Sequence, residues 1–189
     1  MFYKIVRFVL LVLSNIVFRF KHINTKNLPE TGAVIVCCNH VKLLDVVFVA
    51  ISLKRNIRFM AKKELTSNGI MRWLFKMLKV IPVDRQSNDV KALKTSLKTL
   101  KNGEVLGIFP EGTRTDEQRE VTAGIAMMAY KTGASILPAY IDYKSKLKIR
   151  LTFKDLIPHT ELGIENGTQE EYKRISNEIM DSIYNTGKE

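Results

Sequence analysis

The chain has almost nothing with which to brace itself covalently. Its two cysteines, Cys37 and Cys38, are neighbours in an apolar run, too few and too close for a disulfide framework. A reduced, cytoplasmic setting is expected, with both thiols packed in a strand rather than used in chemistry. No Gly/Ser-rich or Pro-rich linker, low-complexity tract or fixed-period repeat is present, which excludes a solenoid and argues against a second domain. The apolar stretch Phe8 to Phe18 falls short of the about 20 residues that span a bilayer. The small-residue pattern of a cleavable signal peptide is missing from the FRFKHINTKNLPE that follows it. No aromatic-rich basic stretch offers a stacking platform for bases, and no G-x-S-x-G run offers a serine on a strand–helix elbow.

Acid is also scarce, with nineteen acidic against thirty basic residues, a net charge of +11. The excess is uneven: residues 54–101 carry +10, while residues 155–189 carry −5. Charge of this kind suits nucleic acid, an anionic membrane or a phosphorylated substrate about equally. With 189 residues, 46% of them hydrophobic, the chain fits one compact domain with its own core.

Strand and helix patterns alternate along that domain. Phe8 to Phe18 lies between basic flanks, Lys4 and Arg7 before it and Arg19, Lys21 and Lys26 after. It reads as an interfacial or re-entrant anchor facing anionic head groups, or as a buried helix covering the core. Residues 1–28 are accordingly set apart from a main domain at 29–189. Ala33 to Cys38 is a continuous apolar run, as in a strand covered on both faces. Helices are predicted at Asp45 to Leu53, Ile70 to Leu78 and Thr122 to Thr132. Strands are predicted at Ile57 to Ala61, Val105 to Phe109, Ser135 to Ile141 and Leu147 to Phe153. Asn88 can cap a helix with Val90, Leu93, Leu97 and Leu100 on one face and Lys91, Lys94, Lys98 and Lys101 on another. Thr168 and Glu171 form a capping box for a last helix that buries Tyr172, Ile175, Ile179 and Ile183. The expected fold is α/β: a single domain with a mixed, largely parallel sheet flanked by helices and an N-terminal interfacial helical anchor.

Three stretches are not accounted for by folding needs. In Asn39-His40-Val41-Lys42-Leu43-Leu44-Asp45, a carboxylate five residues past a strand-end histidine can hold one ring nitrogen and leave the other as a base. Asp45 could equally serve the first turn of its helix. In Phe109-Pro110-Glu111-Gly112-Thr113-Arg114, a carboxylate, a hydroxyl and a guanidinium crowd a turn at a strand end, where open α/β sheets bind ligands. A plain Pro/Gly turn is the alternative. Arginine's forked donors match a phosphate, and Glu111 could accept from hydroxyls. Lys79-Val80-Ile81-Pro82-Val83-Asp84-Arg85 reads as a short strand running into a charged loop.

In their chain order NHVKLLD, KVIPVDR and FPEGTR, with Ala61 to Leu65 (AKKEL) between and Ile136 to Ile141 (ILPAYI) after, the stretches resemble the motifs of the glycerolipid acyltransferase family over roughly Gly32 to Asp142. The resemblance implies that residues 29–189 are an acyltransferase domain in which His40 is the general base and Asp45 orients it. It implies that Glu111, Gly112, Thr113 and Arg114 hold a glycerol-phosphate, with Lys62, Lys63 and Arg85 adding phosphate contacts. It also implies acyl-CoA or acyl-carrier-protein thioesters as co-substrates, a lyso-phospholipid acceptor such as 1-acyl-glycerol-3-phosphate, and neither metal nor cofactor. Anionic lipids would be partners, nucleic acid would not, and the setting would be peripheral or monotopic on the cytoplasmic face of the cell membrane. Glycerol-3-phosphate or another lyso-lipid as acceptor is left open, and so is a basic membrane- or nucleic-acid-binding module without catalysis. Three positions depart from the family pattern. Lys79 stands where glycine usually opens the second motif, Lys42 replaces the common serine two after the histidine, and Val121, Thr122 and Ala123 replace lysines.

Overall fold

A computed structural model describes residues 2–66, 69, 72, 75, 79–84, 89–112, 114, 121 and 123–185. Seven strands form one sheet: β1 Lys21–Ile23, β2 Val34–Cys38, β3 Ile57–Lys62, β4 Ile81–Val83, β5 Val105–Ile108, β6 Ser135–Ser145 and β7 Lys148–Phe153. Five helices are seen among the described residues: α1 Phe2–Phe18, α2 Asp45–Ser52, α3 Val90–Lys101, α4 Gly124–Thr132 and α5 Gln169–Tyr184. The strand order is β1-β7-β6-β2-β5-β3-β4, and every pair is parallel except β6 with β7. The mixed, largely parallel sheet expected from the sequence is therefore present.

Its central strand shows why the chain folds this way. All five residues of β2 are buried, and alternate side chains feed two cores. Ile35 and Cys37 join the core capped by α3, α4 and α5, whereas Val34, Val36 and Cys38 join the core under α2 and α1. Burial pushes both thiols well up, so neither is a ready thiolate, in line with the packing role expected. The last helix opens with the predicted capping box of Thr168 and Glu171 and buries Tyr172, Ile175, Ile179 and Ile183.

Four expectations change. The cap of α3 is Asp89, whose carboxylate accepts from Ala92 N at 2.8 Å and from Asp84 N at 2.9 Å; the expected cap, Asn88, lies outside the described residues. This helix buries Ala92, Ser96, Thr99 and Leu100, with Leu93 and Leu97 packed beside them, and leaves Val90 56% exposed. Two hydroxyls sit in the core because each bonds a carbonyl one turn back, Ser96 to Ala92 and Thr99 to Thr95, both at 2.9 Å. Strand β1 was not anticipated, since three residues with a lysine and a histidine carry no period. Strand β6 continues four residues beyond Ile141, held by antiparallel pairing with β7. The helix expected at Ile70 to Leu78 falls largely outside the described residues.

Helix α1 includes the stretch Phe8 to Phe18 and leaves Phe8 66% and Ile16 72% exposed, with Val9, Leu10, Val12, Leu13 and Val17 also open. Its inner side rests on α2: Phe18 meets Phe48 edge-on at 5.6 Å, and Arg7 donates to Ile51 O at 2.8 Å. Among the described residues no helix is long and apolar enough to cross a membrane.

Candidate active site

The carboxyl ends of β2, β3 and β5 deliver the residues singled out by sequence. Asn39, 2% exposed, continues β2 with its side chain: Nδ2 donates to Ile141 O at 3.0 Å and Oδ1 accepts from Ile141 N at 2.7 Å. His40 follows. The chain then turns so that Asp45, in the first turn of α2, comes back beneath it.

Asp45 is fully buried, a placement that a carboxylate tolerates only when its oxygens are satisfied. Oδ2 accepts from Val41 N and Lys42 N, each at 2.7 Å, and pairs with His40 Nδ1 at 3.0 Å. Oδ1 accepts from the Tyr143 hydroxyl. The start of α2 adds the positive end of a helix dipole. A carboxylate can pair only with a donor, so Nδ1 carries the ring proton and Nε2 keeps its lone pair. The His40 side chain retains 15% exposure, enough to reach a ligand.

An aromatic ledge holds the ring from one side. Phe109 stacks on His40 with centroids 4.3 Å apart at 27°, and Phe59 stands behind Phe109 at 5.8 Å. Gly107 makes room for that ledge: a Cβ there would lie 2.4 Å from the Phe59 ring. The FPEG segment is a tight turn, with Gly112 N donating to Phe109 O at 3.0 Å and Gly112 at φ +65°, a backbone that favours glycine. Glu111 is largely withdrawn from solvent, and burial raises its carboxyl above the usual range; its own amide, the Tyr184 hydroxyl and the neighbouring His40 act the other way. Tyr184 donates to Glu111 Oε1 at 2.8 Å, tying α5 to the site.

The remaining expected contacts are spread more widely. Arg114 is exposed beyond the turn, and Lys62 and Lys63 are exposed at the end of β3. Arg85 and Thr113 lie outside the described residues. A cleft of about 750 Å3 lined by Lys63, Arg72, Lys79 and Asp84 and one of about 880 Å3 lined by Lys91, Lys94 and Lys98 share Arg58, and neither is lined by His40. Lys79 has φ +52°, so the lysine occupies a left-handed backbone that explains a preference for glycine there. Lys42 places its ammonium 3.9 Å over the Tyr143 ring. Sequence reasoning missed Tyr143, Tyr184 and the Phe59–Phe109 ledge; the signal for the ledge was the phenylalanine opening FPEGTR.

A buried carboxylate orienting a partly exposed imidazole at a strand end, beside a turn rich in polar groups, is an arrangement that can serve as a general base toward a hydroxyl. The chain belongs to the acyltransferase family, whose model matches residues 19–142. Among its relatives is the 1-acyl-sn-glycerol-3-phosphate acyltransferase of Bacillus subtilis, 37% identical over 117 residues that cover 61% of this chain and 59% of that protein. That of Streptococcus pneumoniae is 29% identical over 98% of this chain and 70% of its own length. The chain thus spans about three-fifths of the Bacillus relative and more of the streptococcal one. The crystal structure of the 1-acyl-sn-glycerophosphate acyltransferase of Thermotoga maritima shares the fold, with a TM-score of 0.67 at 24% identity over 90% of this chain and 73% of that one.

Proposed function

We propose that this protein transfers a fatty acyl group from a thioester, acyl-CoA or acyl-carrier protein, to the free hydroxyl of 1-acyl-glycerol-3-phosphate, giving phosphatidic acid. The observation that carries the chemistry is the His40–Asp45 pair, with Nδ1 tied to a buried carboxylate and, among the described residues, no hydrogen bond to Nε2. The activity for which the Bacillus and streptococcal relatives are named supports the acceptor.

The thioester is already activated, so the enzyme's task is to deprotonate, orient and stabilise. His40 Nε2 takes the hydroxyl proton as the oxygen attacks the thioester carbonyl carbon. The tetrahedral intermediate then collapses, the carbon–sulfur bond breaks, and the imidazolium returns its proton to the leaving thiolate. Arg114 and Arg85, assisted by Lys62 and Lys63, take the phosphate, and Glu111, Gly112 and Thr113 shape the glycerol subsite. No cofactor beyond the thioester is needed. Helix α1, with its exposed apolar residues between basic flanks, lies in the interface of an anionic membrane on the cytoplasmic face.

The test is mass spectrometry of products after the purified protein meets a panel of thioester donors and lyso-lipid acceptors. Phosphatidic acid from lyso-phosphatidic acid is the expected product; preferential acylation of glycerol-3-phosphate or of a phosphate-free acceptor would displace this reading. For the membrane setting, removal of residues 1–20 should release the protein from anionic vesicles at low salt. Unchanged co-sedimentation would assign the anchor elsewhere.

A further inference from the structure

We infer that Tyr143 is a positioning residue of the His40–Asp45 pair, clamping the carboxylate so that its other oxygen is left to orient the imidazole. The inference starts from how the two oxygens of Asp45 are divided. Oδ2 is shared by two loop amides and His40 Nδ1, while Oδ1 faces the hydroxyl of Tyr143, which is 98 residues further along the chain. Without that hydroxyl, the carboxylate would be held through Oδ2 alone by the Val41 and Lys42 amides, its plane would be freer to tilt about χ2, and the imidazole's orientation would loosen with it. A donor that holds the carboxylate behind an imidazole fixes the ring's direction and its basicity together.

The fold supplies the phenol deliberately. Asn39 pairs both of its amide groups with the backbone of Ile141, fixing the start of β6's extension against the catalytic loop. The extension, paired with β7, then places Tyr143 opposite Ile149, two residues beyond that anchor. Lys42 covers the outer face of the phenol with its ammonium at 3.9 Å, so the position that departs from the family's serine has a role in shielding this contact. Burial and the hydrogen bond to Asp45 push the phenol's titration upward, so it remains a donor at any working pH.

The hydroxyl also sets how strongly Asp45 favours a charged imidazole. A donor on Oδ1 draws charge from the carboxylate, so its removal makes Asp45 a better partner for protonated His40 and raises the pH at which His40 titrates. Among the described residues, the other charged or titratable groups near this pair are Glu111, whose charge interacts with His40, Lys42, which lies over Tyr143, and the buried Cys38 thiol, which feels the charges of Asp45 and Glu111.

The test is Tyr143→Phe in the full chain, which keeps the ring and removes one oxygen. NMR titration of the three histidine rings in the substrate-free protein, with His40 assigned by its loss in His40→Ala, should show the His40 midpoint moved to higher pH. With lyso-phosphatidic acid and a thioester donor, kcat should fall about tenfold or more, as expected for a lost hydrogen bond to a buried charge, with KM for the acceptor nearly unchanged. Adding Tyr143→Phe to Asp45→Asn should cost little further, because the two act through one contact. Only the kcat arm rests on the proposed acyl transfer; the NMR arm stands if the acceptor proves to be different. A purely structural Tyr143 would lower Tm yet leave the His40 midpoint in place, and that result, or additive losses in the double variant, would overturn the inference.

Discussion

The carboxylate of Asp45 and the lysines of α3 are both charged, and the fold treats them in opposite ways. Asp45 has no exposure and four donors around its two oxygens, whereas Lys91, Lys94, Lys98 and Lys101 all stand in solvent, the first three of them beside a cleft. A desolvated charge is stable only in one geometry, so the loss of a single partner is felt at once. Solvated charges act mainly through their sum, screened beyond about 8–10 Å at ordinary salt, and one of them stands out only where it grips a ligand directly. The contrast teaches that the chemistry of this molecule is concentrated in a few fixed atoms at the sheet's carboxyl edge. Positive charge, by contrast, is spread over a whole segment that carries +10.

The contrast is sharpest at Asp45 itself. Asp45→Asn keeps the size of the side chain but presents an amide to His40 Nδ1 or stabilises the wrong tautomer, so kcat should fall by about 10²-fold or more. Steady-state kinetics on variants with matched folded fractions would check it. Retention of wild-type kcat would mean that the imidazole needs no orienting carboxylate.

Arg114 tests the exposed side of the comparison, and its effect should fall on binding. Arg114→Ala should raise KM for lyso-phosphatidic acid more than KM for the thioester, by about tenfold if one charge-assisted phosphate contact is lost. Arg114→Lys should recover part of it, since a lysine keeps the charge without the fork. An acceptor lacking the phosphate should react poorly with wild type and suffer little further loss in the variant. If the donor were weakened instead, the arginine would serve the donor's phosphates.

Glu111 lies between the two regimes, and the smallest effect is expected there, on stability. Burial raises its folded carboxyl above the unfolded value, so the contribution of the protonated form is complete below the unfolded value and lost as pH rises through the folded one. Glu111→Gln should therefore raise Tm modestly at neutral pH and flatten the decline of Tm with rising pH above the usual carboxyl range. Thermal melts at a series of pH values read both. A lower Tm for the variant at neutral pH would show that the charged form is held favourably.

Much of this was legible in the chain. The strand-end delivery of NHVKLLD and of FPEG followed from apolar runs that stop at polar clusters, and the five-residue spacing from His40 to Asp45 was enough for contact. The rest was hidden for identifiable reasons. Tyr143 lies in Asp142-Tyr143-Lys144-Ser145, which reads as a polar loop, and only pairing with β7 makes it a strand. Strand β1 exists because Lys21, His22 and Ile23 find β7 in parallel register, information that lies 129 residues away. The core face of α3 keeps Leu93, Leu97 and Leu100 as expected but takes in Ser96 and Thr99 and leaves out Val90, because both hydroxyls are satisfied within the helix and so pass as apolar. Asp89 prevails as the cap because it also secures Asp84 at the end of β4, a contact that local sequence rules do not contain.

The most direct test of the central claim, that an Asp45-oriented His40 is the base for acyl transfer, is the turnover of His40→Ala on lyso-phosphatidic acid and a thioester donor, measured beside its melting curve. The expected result is a loss of about 10²–10⁴-fold in kcat, or more, with the protein still folded. Near-wild-type turnover from a protein with an unchanged melting curve would contradict it.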